Sequence, residues 1–269
     1  LNNATLSIKN GNLITTNSKG IYNNGNIEIS GGTVKSSEYG IYNNGNIEAS
    51  GGIIQSNLYG IYTTKGDINI SGSSIITSSG SNHVYGIYSN GEGEITIESG
   101  NITTTSSYRY GNAYAIYNDG ESEITIENGN ITSTTSYYSA YGIYNNKANK
   151  ITVLGGEIKS SDYAIYNYVS GDISIAGGTI GEIYNYSSEE NRIEITGGSI
   201  SILDNGSGNV TMTNGEITNY LENSSGNVTI SGGSVKKVYN EYGNGVITIM
   251  GGSFETISND GNGTINIEN

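Results

Sequence analysis

Residues 20–34 read GIYNNGNIEISGGTV and residues 40–54 read GIYNNGNIEASGGII, near identity at a spacing of 20. Self-similarity at such a period marks a repeat architecture, in which each unit buries its apolar face against the next. Three signals can be followed from this pair outward. The first is an alternating apolar pair, as in Ile27/Ile29, Ile47/Ala49, Ile95/Ile97, Ile193/Ile195 and Ile265/Ile267. The second is a small residue three positions later, usually Gly, as in Gly32, Gly52, Gly100 and Gly198, with Ser73 once. The third is one apolar residue two positions further on, as in Val34, Ile54, Ile102, Ile200 and Phe254. Twelve units carry the frame.

Period-2 alternation of β-branched residues predicts short strands with one buried face. Gly and Asn punctuate them as turn residues. No stretch sustains a 3.6 period, so no helices are expected. Units of about 20 residues with three strands each predict an all-β chain: a parallel β-solenoid of about 12 coils, stacked at roughly 4.8 Å into a rod of roughly 58 Å.

The third strand carries the Gly-Ile-Tyr-Asn motif. Its apolar positions read as Ile21, Ile41, Ile61, Ile87, Ile116, Ile143, Ile165, Ile183, Leu203, Tyr220, Val238 and Ile257. The next residue turns outward: Tyr22, Tyr42, Tyr62, Tyr88, Tyr117, Tyr144, Tyr166, Tyr184 and Tyr239. The one after turns inward at a corner: Asn23, Asn43, Asn118, Asn145, Asn167, Asn185, Asn205, Asn240 and Asn259. Stacked inward Asn can bond the backbone and the amides of neighbouring coils, so these form a structural ladder.

These residues resemble the right-handed parallel β-helix repeats of bacterial surface proteins: pectate-lyase-like folds, autotransporter-like passengers and repetitive adhesins. The motif that carries the resemblance is G-I-Y-N-N-G-N-I-x-I-S-G-G-x-[IV], and the frame covers essentially the whole chain. Right-handed coiling and an extracellular setting, at a bacterial cell surface or secreted, are what the resemblance implies. The fold hosts lyases, adhesins and stalks alike, so it leaves function open.

Composition narrows the choices. The chain has 269 residues, 25 Asp+Glu against 11 Lys+Arg, a formal charge of -14, 41 Gly, 23 Tyr, and no Cys, Pro or Trp. Without Cys there is no disulfide framework, thiol chemistry or zinc-cysteine site. Acidity of this size argues against a nucleic-acid partner. No apolar run approaches the roughly 18 residues of a membrane span, so no membrane insertion is expected.

We read 1–269 as a single solenoid domain with regular coils over 1–72, wide coils over 73–156 and slim coils over 157–269. The extra residues of the wide coils fall between the second and third strands, in 76–85, 103–114 and 132–141. Insertions in a solenoid map to one face, often the binding face. These segments hold His83, Tyr85, Tyr108, Arg109, Tyr110, Asn112, Tyr114, Tyr137, Tyr138 and Tyr141. Tyr offers a flat apolar face with a polar edge, and Arg a rigid fork of donors. Apart from His83, which reads as a loop residue, the set suits a sugar ring on a host or bacterial glycan, or a surface protein. The competing reading is that these Tyr pack the wider part of the rod.

Catalytic signals are weak. The six Asp, Asp67, Asp119, Asp162, Asp172, Asp204 and Asp260, share no coil position, and Arg109 and Arg192 lie in distant coils. Glu28 and Glu48 could approach the spacing of a glycosidase pair, but their context reads as a solvated edge. A Ser-His-Asp arrangement would rest on His83 alone. No cofactor or metal site is expected. Thr103–Thr105 and Thr132, Thr134 and Thr135 raise the idea of an ice-binding array, which their confinement to two coils opposes. Ala4–Leu13 already sits in frame and Thr264–Asn269 is half a coil, which suggests a segment of a longer repetitive protein or coils that stack end to end. The expected function is a non-enzymatic adhesin or stalk. The alternatives are a structural spacer or self-assembling fibre, and a polysaccharide lyase or hydrolase.

Overall fold

The structure, a computed structural model, describes residues 5–15, 18–79, 82–147, 150–169, 171–186 and 191–268. Ala4, Asn269 and two positions of the first insertion, 80 and 81, lie outside these. The described residues form a parallel β-solenoid of about 12 turns, without helix. Each coil has three strand segments, and each pairs in parallel with its counterpart one coil on. Ile27 aligns with Ile47, Ile54 with Ile75, and Ile41 with Ile61. Parallel pairing follows because every coil closes a full turn before the chain meets its own previous strand.

The alternation places one core down the axis. Ile27, Ile29, Val34 and Ile41 are all buried, and the same positions repeat to Ile247 and Ile249. Burying each Ile is worth roughly 1.5–3 kcal/mol relative to exposure. Corners are turned where a side chain cannot follow: Gly178 and Gly198 have φ of 84° and 80°, a region that an L side chain rarely enters.

Strand segments merge differently along the rod. Asn26–Lys35 and Ile47–Ser56 join the first and second segments, whereas Glu157–Asn167 and Thr179–Asn185 join the second and third. In the wide coils all three are separate, as in Glu94–Ile97, Asn101–Ser106 and Ala113–Asn118. Part of each insertion is therefore strand, not loop. The added interior is filled by a second small core of Val84, Ala113 and Ala140. Beside it runs a column of buried hydroxyls: Thr77 bonds Tyr85 O at 3.1 Å, Thr104 bonds Ser133 Oγ at 2.9 Å, and Ser133 bonds Ala113 O at 2.9 Å. Thr104 thus faces the interior.

The Asn ladder runs at the corner after the third strand, with two corrections. In the coil after Leu203 the inward apolar residue is Leu221, not Tyr220; Tyr220 aligns with Ile202. Asn223 therefore joins the ladder between Asn205 and Asn240. One extra residue at the corner between Ile217 and Leu221, relative to the coils on either side, moves the frame by one. Second, Thr63 and Ser89 occupy the ladder position between Asn43 and Asn118. Amide-to-amide bonds link Asn145, Asn167, Asn185, Asn205, Asn223, Asn240 and Asn259 in one direction, at 2.7 to 3.3 Å. Asn23 and Asn43 instead donate to nearby turn carbonyls, Asn26 O at 3.2 Å and Gly45 O at 2.6 Å. Asn118 donates to Ser122 O at 2.8 Å.

Candidate functional site: tyrosine columns and loops

From Tyr22 to Tyr184 the outward Tyr positions form a continuous stack; Tyr239 stands apart from it. Ring centroids lie 5.0 Å apart for Tyr22–Tyr42, 4.9 Å for Tyr42–Tyr62 and 5.2 Å for Tyr166–Tyr184. A second column, absent from the sequence reading, runs beside it through Tyr39, Tyr59, Tyr85, Tyr114, Tyr141 and Tyr163, at 4.8 to 5.8 Å. The columns touch edge to face, as in Tyr85–Tyr88 at 84°, the geometry the ring quadrupoles favour. The signal was in the sequence: a Tyr three positions before the outward Tyr in six successive coils, Tyr39/Tyr42 to Tyr163/Tyr166.

This packing divides the predicted ligand set. Tyr85, Tyr114 and Tyr141 lie on strands in the inner column, with both ring faces covered by neighbours. Burial pushes the Tyr114 phenol up to about 12 despite the opposing hydrogen bond from Asn112, and raises Tyr85 further. Asn112 acts as a stitch across three coils. Its backbone N–H donates to His83 Nδ1 at 2.9 Å, its amide to Tyr114 Oη at 2.6 Å, and its Oδ1 accepts from Ser139 N–H at 3.2 Å.

The remaining five residues, Tyr108, Arg109, Tyr110, Tyr137 and Tyr138, are on two adjacent turns. Gly111 N–H bonds Tyr108 O at 3.1 Å and closes the first. Tyr108 packs edge-on against Tyr110 at 5.8 Å, and the Arg109 guanidinium stands 5.7 Å from the Tyr110 centroid. Tyr110, Tyr137 and Tyr138 are 60%, 69% and 56% exposed, so their rings are open to solvent in a way that no column ring but the terminal Tyr22 is. Residues 101–118 and 130–147 contain no Asp or Glu, in a chain with 25 of them. The loop face is thus spared the acidity of the rest.

Two features had no place in the sequence reading. The Lys19 ammonium lies 4.6 Å from both the Tyr22 and Tyr42 centroids and covers one end of the outer column. At the other end, the Tyr184 position passes to Asp204, then Glu222, then Tyr239. Burial first, and Glu182 second, raise Asp204 to about 6. Glu182 and Glu222 are raised for the same leading reason.

Glu28 and Glu48 are register partners, both exposed on the outer side of the first strand. Among the described residues no three His, Asp or Glu converge as a metal site. Two shallow depressions of about 380 Å³ lie in other coils: one includes Glu216, Lys236 and Glu255, the other Lys150, Asp172 and Arg192. No protein-family model matches this sequence, and no curated protein or solved structure matches it.

Proposed function

We propose that this chain is a non-enzymatic rod of a bacterial cell surface or secreted protein. It contacts a glycan through the loop face of its wide coils, in the manner of an adhesin. The observation that carries the reading is the contrast within one Tyr-rich region. Tyr85, Tyr114 and Tyr141 spend their faces on each other, whereas Tyr110, Tyr137 and Tyr138 are open to solvent, with Arg109 against Tyr110. Exposed clustered aromatics on a stitched scaffold lose little entropy on binding a flat ring. A glycan array probed with the wild type and a Tyr110/Tyr137/Tyr138→Ala triple variant tests this. Binding by the wild type that the variant loses supports it; a blank array, or equal binding, overturns it.

A second reading is a spacer or fibre without a ligand. It is favoured by the stacked Tyr from Tyr22 to Tyr184 and the linked Asn from Asn145 to Asn259, which together stiffen the rod over most of its length. Filaments or uniform rods in electron micrographs, together with a blank array, would favour it over the first.

A further inference from the structure

Beside the end of the outer aromatic column lies a pair that differs from every other. Tyr168 and Tyr186, on adjacent coils, stack at 5.7 Å and 11° with 42% and 57% exposure. Their backbones are held in place: Tyr168 N–H donates to Asn145 O and Tyr186 N–H to Asn167 O, both at 2.9 Å. Among the described residues no other stacked pair has both rings exposed. Tyr22 stacks on a half-buried Tyr42, while Tyr110, Tyr137 and Tyr242 have no exposed ring stacked on them. The pair also joins the outer column, at 6.2 Å from Tyr166 to Tyr168 and 6.2 Å from Tyr184 to Tyr186.

We propose that Tyr168 and Tyr186 are an oxidative cross-linking site, coupled to dityrosine by hydrogen peroxide acting through a haem peroxidase. Each phenol gives one electron to the oxidant and its hydroxyl proton to water. The two phenoxyl radicals, with spin density at the ortho carbons, form one carbon–carbon bond between the rings. The ortho hydrogens then move to the oxygens as the rings regain aromaticity. Two electrons and two protons leave in total, and one hydrogen peroxide takes them up as two waters.

Several features direct the reaction here. The chain has no Cys and no Trp, so Tyr is its readiest one-electron donor. The outer column, at 4.9 to 5.2 Å per step, offers a relay for an oxidising equivalent. Its members from Tyr42 to Tyr184 are only partly exposed, whereas water reaches the phenols of the exposed pair and accepts their protons. Met250, 48% exposed, competes only by forming sulfoxide, which builds no cross-link. The new bond would tie two coils together across residues 168 to 186, as a disulfide does in chains that have Cys.

The test treats dilute full chain with hydrogen peroxide and a haem peroxidase. It then reads dityrosine fluorescence in the monomer fraction, maps cross-linked peptides and follows thermal unfolding. The expected result is one intramolecular link between Tyr168 and Tyr186, a raised unfolding midpoint, and loss of both in Tyr168→Phe and in Tyr186→Phe. Phe keeps the stack but has no hydroxyl, and Tyr242→Phe should behave as wild type. Three results overturn the proposal: links that map elsewhere or only between molecules, a monomer signal that survives both Phe variants, or Met250 sulfoxide without dityrosine.

Discussion

Asn167 donates one amide hydrogen to Asn185 Oδ1 and the other to Gly171 O, each at 3.0 Å. One proton thus joins two coils and the other closes the turn within a coil. Asn185 also uses both hydrogens, on Asn205 Oδ1 at 2.9 Å and Ser207 O at 2.8 Å, but here both acceptors lie one coil on. No other side chain of similar size supplies two donors and one acceptor here; Asp would bring a buried charge and Leu none of the bonds.

Asn185→Ala should therefore cost about 2–4 kcal/mol, because it strands the Asn167 donor and the Asn205 acceptor in a buried corner. Asn23→Ala, at an exposed end of the series, should cost under about 1 kcal/mol. Denaturant unfolding of both variants checks the order, and hydrogen exchange around residues 167 to 205 checks the locality.

The inner Tyr column predicts a different failure. Tyr114 is 8% exposed, between Tyr85 and Tyr141. Tyr114→Ala should destabilise by about 3–5 kcal/mol through the lost burial and the cavity. Tyr114→Phe should cost only about 1 kcal/mol, for the bond from Asn112. Near-ultraviolet circular dichroism should fall sharply in the Ala variant alone.

Asp204 gives the rod an acid-favoured segment. Its carboxyl lies at about 6 in the fold against an ordinary 3.8, so the folded state holds its proton more tightly. This contribution to stability is complete below about pH 4 and is lost as pH rises through about 6. Glu182 and Glu222 act in the same direction. Thermal unfolding between about pH 4 and 7 should show the midpoint falling with pH from this source, and Asp204→Asn should flatten the profile. An unchanged slope in the variant would reject the assignment.

The Tyr columns act at the alkaline end. Burial raises the phenols of Tyr85, Tyr88 and Tyr144 above the ordinary 10.0. The fold therefore opposes their ionisation, and their share of stability is lost as pH rises past the folded values. A spectrophotometric titration should show these column phenols ionising in a late step that coincides with loss of β-sheet signal.

The loop Tyr residues should be neutral for stability. Tyr137→Ala and Tyr138→Ala remove exposed rings, so each should lie within about 0.5 kcal/mol of wild type. If either unfolds the rod, these rings are packing elements and the contact face must be sought elsewhere.

Much of this molecule is legible along the chain because a stacked coil repeats its chemistry at a fixed interval. The Ile positions, the corner Gly and most of the Asn ladder follow from alternation alone. The frame slipped at Tyr220, where the corner carries one residue more than in the coils on either side, and with it went Asn223. Alternation assigns a face only while the strand is straight. At a corner the chain can add or omit a residue without breaking the pattern on either side.

The candidate site was less legible. Tyr85 and Tyr110 look alike within Tyr-rich insertions, yet one is held on a strand between two other rings and the other stands in water. The sequence by itself determined the parallel stacking of three-stranded coils, since β-branched alternation with punctual Gly has few other ways to bury its apolar face. Only the tertiary structure decided which Tyr are spent on one another, that Asn112 is a stitch, and that Asp204 inherits a Tyr position. Those properties depend on which residues meet one coil away, some 17 to 29 positions along the chain, and a spacing that varies from coil to coil cannot be read from local pattern.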